Sequence, residues 1–115
     1  MHFNGLTEGE AERLAILIEE CGEVVQVIGK ILRHGLRSRH PKTDAANRDL
    51  LVMELGHVKA AISMLIEAGD MTAAELRQAR NTKLGSVSIY LHHAENVKAS
   101  RNVFTPKDAK EAARE

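Results

Sequence analysis

Leu14, Leu17, Ile18, Cys21, Val25, Ile28 and Leu32 recur at helical spacing. They predict one long amphipathic helix with this stripe turned inward. Thr7-Glu8-Gly9-Glu10 has the form of a capping box, with Thr7 at the N-cap and Glu10 at N3. The pattern runs to His34, and Gly35 is placed to stop it. The predicted helix has about 27 residues and is roughly 40 Å long. Cys21 falls on the stripe and reads as a packed thiol. Gly22 and Gly29 lie inside the helix, each costing about 1 kcal/mol relative to Ala. Close packing of a neighbouring helix is one reason for them; room for a ligand beside the backbone is another.

Residues 35–46 break the pattern with Gly35, Ser38, Pro41 and Thr43 and read as a loop. A second helix starts between Asp44 and Asn47, carries Leu51, Leu55, Val58, Ile62, Leu65 and Ile66 inward, and ends at Gly69. Thr72-Ala73-Ala74-Glu75 is a second capping box. It opens a third helix with Leu76, Ala79, Leu84, Val87 and Leu91 inward, and Gly85, Val87 and Ile89 suggest a bend. Thr105-Pro106 resembles N-cap and N1 of a short terminal helix. The expected organisation is an all-α helical bundle over 1–96 and a polar tail over 97–115. Narrow stripes make a thin core, for which association of identical chains is one remedy. A homo-oligomer, dimer or tetramer, is therefore expected.

Composition narrows the class. Good helix formers dominate, and Phe3, Tyr90 and Phe104 are the only aromatics among 115 residues. Sixteen Lys and Arg balance sixteen Asp and Glu, so the overall basic excess of a nucleic-acid binder is absent. One Cys precludes an internal disulfide and fits a reducing compartment. No apolar run has the roughly 20 residues of a membrane span, and the N-terminus lacks the pattern of a secretory signal. These features give an expected cytoplasmic protein with no membrane partner.

Polar residues beside the stripes carry the candidate chemistry. Glu19, Glu20 and Glu23 share a helical neighbourhood, with Glu20 and Glu23 three apart. Glu54 and His57 are three apart on the second helix. Each pair on its own is more often a solvated face or a packed histidine. Two such pairs on successive helices, each beside a Gly, suit a divalent cation with oxygen ligands. Between Glu23 and Asp44 there is no acidic residue, whereas Lys30, Arg33, Arg37, Arg39 and Lys42 occur with His34 and His40. Helix-terminus compensation explains part of this basic segment. A metal-bound polyphosphate explains the segment and the carboxylates together.

The motif Glu19-Glu20-Cys21-Gly22-Glu23, the following KILRHG and the later MELGHV resemble the MazG-like all-α nucleoside triphosphate pyrophosphohydrolases. Their signature is EExxE on one helix and ExxD on the next. The resemblance covers roughly residues 10–91. It implies a helical bundle completed by oligomerisation and hydrolysis of an NTP or dNTP to the monophosphate and pyrophosphate with Mg²⁺. By that resemblance Glu20, Glu23 and Glu54 hold the metal, with His57 at the fourth ligand position. Glu19 supports the site or orients water, and Lys30 and Arg33 contact phosphates. Lys83 is a further phosphate contact. Tyr90 would lie near the base, although a core position suits it better.

His57 stands where the family carries Asp. Imidazole suits Mn²⁺ and softer ions better than Mg²⁺. Three readings follow: Mg²⁺ held by three Glu with His57 on substrate or water, a softer metal, or a degenerate nucleotide-binding or scaffold protein. A di-iron carboxylate bundle is a rival, because Glu54-x-x-His57 has its Glu-x-x-His form. It needs a second such motif, which a two-fold dimer would have to provide. His92 and His93 are adjacent and point in different directions, which argues against a shared metal site.

Overall fold

The computed structural model describes residues 3–93. A single 3₁₀ turn at Phe3–Gly5 precedes three helices, α1 (Glu8–His34), α2 (Asn47–Glu67) and α3 (Ala73–Val87). Among the described residues there is no strand, only an isolated antiparallel bridge between Arg39 and Ala46. The chain forms two compact units, Met1–Asp70 and Met71–Glu115. The first holds α1 and α2, packed along one another; the second holds α3. The predicted terminal helix and the boundary at 96/97 lie outside the described residues.

Helix ends follow the sequence chemistry. Thr7 accepts the Glu10 N–H at 3.1 Å, and Glu10 accepts the Thr7 N–H at 3.0 Å. Thr72 and Glu75 repeat that exchange at the start of α3, at 3.1 and 2.9 Å. At the end of α1, Arg33 and His34 face the negative end of the helix dipole. Gly35, at φ +98°, turns the chain away, a conformation that side chains rarely adopt. Gly69, at φ +83°, does the same after α2, where the Asp70 N–H returns to the Leu65 carbonyl at 3.0 Å.

The connection between α1 and α2 is ordered by its own hydrogen bonds. The buried Asn47 side chain donates to the Gly35 carbonyl at 3.1 Å, and its backbone N–H donates to Ser38 O at 2.9 Å. His40 Nδ1 accepts the Lys42 N–H at 3.1 Å, which places that ring's proton on Nε2 when the ring is neutral. Arg39 Nη1 donates to the Asp44 carbonyl at 2.8 Å. At the opposite end, Arg13 clamps Asp70 with two hydrogen bonds of 2.6 and 3.0 Å. The α1–α2 hairpin is thus tied at both ends.

The phase of α1 differs from the expected one. Its packed side consists of Arg13, Ile16, Leu17, Glu20, Glu23, Val24, Val27 and Ile31, of which Val27 is the most buried. Leu14, Ile18, Val25, Ile28 and Leu32 face outward, and Cys21 is exposed, not a packed thiol. On α2 the packed side is Leu51, Glu54, Val58, Ala61, Ile62, Leu65 and Ile66, while Leu55 is exposed. The sequence misleads because α1 has two candidate inner faces that share Leu17, and the one that packs on α2 is the face that carries Glu20 and Glu23. Turning the most regular apolar stripe inward would have put Glu20 and Glu23 at the margin.

Gly22 and Gly29 have nothing within 4 Å of where a Cβ would stand, so among the described residues no neighbouring helix packs closely on them. On α3, Leu76, Leu84 and Val87 are half-buried, Ala79 and Leu91 are exposed, and the helix ends at Val87. Tyr90 is exposed rather than core. Val27, Ala61 and Leu65 are the buried apolar residues among those described, which is the thin core the narrow stripes predicted.

Candidate metal centre

Glu20 and Glu23 project from consecutive turns of α1 toward α2, which offers Glu54 and His57 from consecutive turns of its own. One ligand atom from each of the four lies within 4.8 Å of all the others. In an octahedral site, trans oxygens stand about 4.2 Å apart around Mg²⁺ and about 4.8 Å apart around Ca²⁺. The spread reaches the span of a Ca²⁺-sized ion and exceeds that of Mg²⁺, around which the four side chains would have to draw in.

The cluster is graded in exposure. The Glu54 side chain is 12% exposed at its floor, Glu20 22%, and His57 48% at the solvent rim. His57 Nδ1 lies 3.3 Å from Glu54 Oε2 and 3.5 Å from Glu20 Oε2. Both are ion-pair distances for a charged imidazole; otherwise the two buried Oε2 atoms have no hydrogen-bond partner. Glu54 is held above its ordinary carboxyl value. The chief cause is the Glu23 carboxyl, with which it shares a hydrogen bond when protonated; burial and the Glu23 charge add to this, and His57 opposes it. A buried acceptor without a donor is costly, and a cation satisfies both orphaned oxygens at once. The donor set fits a divalent ion on those grounds.

Glu19 does not join the group. It is exposed on α1, one residue and therefore about 100° round the helix from Glu20. Lys30 and Arg33 line a cavity of about 400 Å³ with His34, Ser38, Arg39, His40, Pro41 and Asn47. Among the described residues no carboxylate pairs with Lys30 or Arg33. Lys30 is seven residues beyond Glu23, and Asn47 seven before Glu54. The basic cavity therefore begins about 10 Å along the hairpin from the carboxylates. Lys83 belongs to the second unit, on an open face of α3 with Glu75, Gln78 and Thr82.

Sequence reasoning missed Asn47, which buries its amide under the cavity and fixes the turn around it. Its signal was the Asn at the expected start of α2, where a capping role is the usual reading. Ala46 occupies the N-cap position instead, leaving the Asn47 side chain to hold Gly35.

Comparison of the chain with protein-family profiles, with curated proteins and with solved structures finds no match.

Proposed function

We propose that this chain is a metal-dependent nucleoside triphosphate pyrophosphohydrolase. The observation that carries the reading is the pair of orphaned buried oxygens of Glu20 and Glu54 inside a four-residue ligand group. The unpaired cations of the adjacent cavity support it, since polyphosphate is the ligand class that needs both. The Glu19–Glu23 and Glu54–His57 motifs, which resemble the MazG-like signature, select the nucleotide class.

Glu20, Glu23 and Glu54 hold the cation, with His57 completing the group from the solvent side. When bound, such an ion neutralises phosphate oxygens and makes a bound water more acidic. Lys30 and Arg33 bind the phosphates that reach into the basic cavity, and Asn47 keeps the wall of that cavity in place. A water attacks the α-phosphorus and gives its proton to solvent, while Glu19, about 100° round α1 from Glu20, supports the site from outside the ligand group. The bond from the α-phosphorus to the bridging oxygen breaks, and pyrophosphate leaves. Mg²⁺ or Mn²⁺ as the ion and the cytoplasm as the location stay part of the proposal. No described helix is long and apolar enough to cross a membrane.

The experiment is pyrophosphate release from a panel of NTPs and dNTPs with Mg²⁺ and then Mn²⁺. Release is expected for the wild type, with Mn²⁺ preferred if His57 is a ligand, and is expected to vanish in Glu20→Ala. Release only in His57→Asp would identify a degenerate enzyme that still binds nucleotide. Tightly bound iron in the purified protein, with no release from any variant, would replace the reading by a di-iron carboxylate bundle.

A further inference from the structure

One wall of the basic cavity comes from the end of α1, with Lys30 and Arg33, and another from the turn that follows, with Ser38, Arg39 and His40. Among the described residues no carboxylate lines it. His40 is half-buried, and its ring is held in one orientation. Nδ1 accepts two backbone N–H groups, from Lys42 at 3.1 Å and from Thr43 at 3.4 Å. The His40 N–H donates to the Ala45 carbonyl, and the His40 carbonyl accepts the Asp44 N–H, both at 2.9 Å. A ring nitrogen facing two donors has no room for a proton, so the turn selects the neutral tautomer with Nε2–H. Nδ1 is spent on the turn, and the edge of the ring left to the cavity is that of Nε2. Among the described residues Nε2 has no hydrogen-bond partner. We propose that the Nε2–H of His40 donates a hydrogen bond to the terminal phosphate of the bound polyphosphate. The inference rests on the polyphosphate reading of the cavity and extends its binding wall from α1 to the turn.

Two observations favour that role over turn-making alone. The turn needs only an acceptor at position 40, which Asn, Asp or Ser supplies with a shorter side chain. An imidazole supplies the same acceptor and adds a donor on its far side. Position along the hairpin is the second. The cavity begins about 10 Å along the hairpin from the carboxylates, and the turn lies beyond Lys30 and Arg33 in the same direction. A phosphate chain anchored at the carboxylates reaches the cations of α1 first and His40 last. Lys30 contributes a point charge on a flexible stem. A neutral N–H fixed by its own backbone contributes direction. Arg39, on the same wall, is already engaged: its Nη1 donates to the Asp44 carbonyl at 2.8 Å and lies 3.6 Å from the Asp44 carboxylate. His40 is therefore the donor of the turn that is both fixed and uncommitted.

The test uses the full chain and inorganic pyrophosphate, titrated calorimetrically without metal, so that the carboxylate cluster plays no part. His40→Asn places an amide oxygen where Nδ1 stands and nothing where Nε2 stands. It should keep the Lys42 and Thr43 amides protected from hydrogen exchange. It should also weaken pyrophosphate binding roughly 10-fold to 100-fold, the range for a hydrogen bond to a charged group. His40→Gln does the reverse, with an amide nitrogen near the Nε2 position and no acceptor for the turn. It should lose the protection and still bind more tightly than His40→Asn. The wild-type ring gives a reading that depends on no variant. Saturating pyrophosphate should move the Nε2 resonance of His40 in NMR and leave Nδ1 an unprotonated acceptor. An unmoved Nε2, or binding undiminished in His40→Asn, would overturn the inference. If Lys30→Ala with Arg33→Ala abolishes binding in that case, the phosphate cavity of the proposed function stands without His40. A wild type that binds no pyrophosphate overturns the inference and the cavity's part in that function together, and leaves cation binding by Glu20 and Glu54 to its own titration.

Discussion

Glu54 is the residue on which the site turns. It is buried in the α1–α2 packing, beside a second carboxyl, and its Oε2 has no hydrogen-bond partner. Its folded pKa lies above the ordinary 4.5, first because of Glu23. The fold therefore favours the protonated form. That contribution is fully present below pH 4.5 and is lost as the pH rises through the folded value. Without metal, unfolding experiments at a series of pH values should show stability falling across that window. Glu54→Gln should remove the fall and stabilise the metal-free protein at neutral pH, while eliminating cation binding. Asp70 has the opposite sign. Its hydrogen bonds to Arg13 hold it below the ordinary 3.8. Its contribution is present above pH 3.8 and disappears as the pH falls through the folded value. Asp70→Asn should abolish that acid-side loss and leave the Glu54 window untouched.

At the scale of elements, helix ends were legible and helix phase was not. Thr7 with Glu10 and Thr72 with Glu75 specify local hydrogen bonds between residues three apart, so no tertiary knowledge is needed to place them. The same holds for Gly35 and Gly69, whose positive φ angles are backbone requirements. Phase is different. α1 carries two candidate inner faces, a regular one through Ile18 and Val25 and a mixed one through Glu20, Glu23 and Val27. Periodicity alone prefers the regular face. The carboxylates of α1 meet those of α2 only because the mixed face is the one that packs, and nothing local records that preference. The four ligand candidates were nevertheless legible, because their spacing of three keeps each pair on one face whichever face is inward. Asn47 was not, because its partner at Gly35 lies twelve residues away. Two substitutions measure these elements. Thr7→Ala should destabilise the protein by about 1 kcal/mol in urea unfolding. Leu65→Ala, at one of the few buried apolar positions among the described residues, should cost about 2–5 kcal/mol in the same urea unfolding measurement.

For the whole molecule, the relevant fact is the division of charge along one hairpin. Carboxylates gather in mid-hairpin, while cations occupy the turn between α1 and α2, within a chain whose net charge is zero. The ion and the anion that complete this arrangement should each stabilise the folded state by mass action, about 2.7 kcal/mol at a hundredfold excess over Kd. Inorganic pyrophosphate should raise the unfolding temperature more in the presence of a divalent cation than in its absence, and Lys30→Ala with Arg33→Ala should erase that difference. The most direct measurement of the central claim is calorimetric titration of the protein with Mn²⁺ and with Mg²⁺, beside Glu20→Ala and Glu54→Gln. The account predicts one saturable site per chain in the wild type and no such site in either variant. Absence of saturable binding in the wild type, or binding undiminished in both variants, would contradict it.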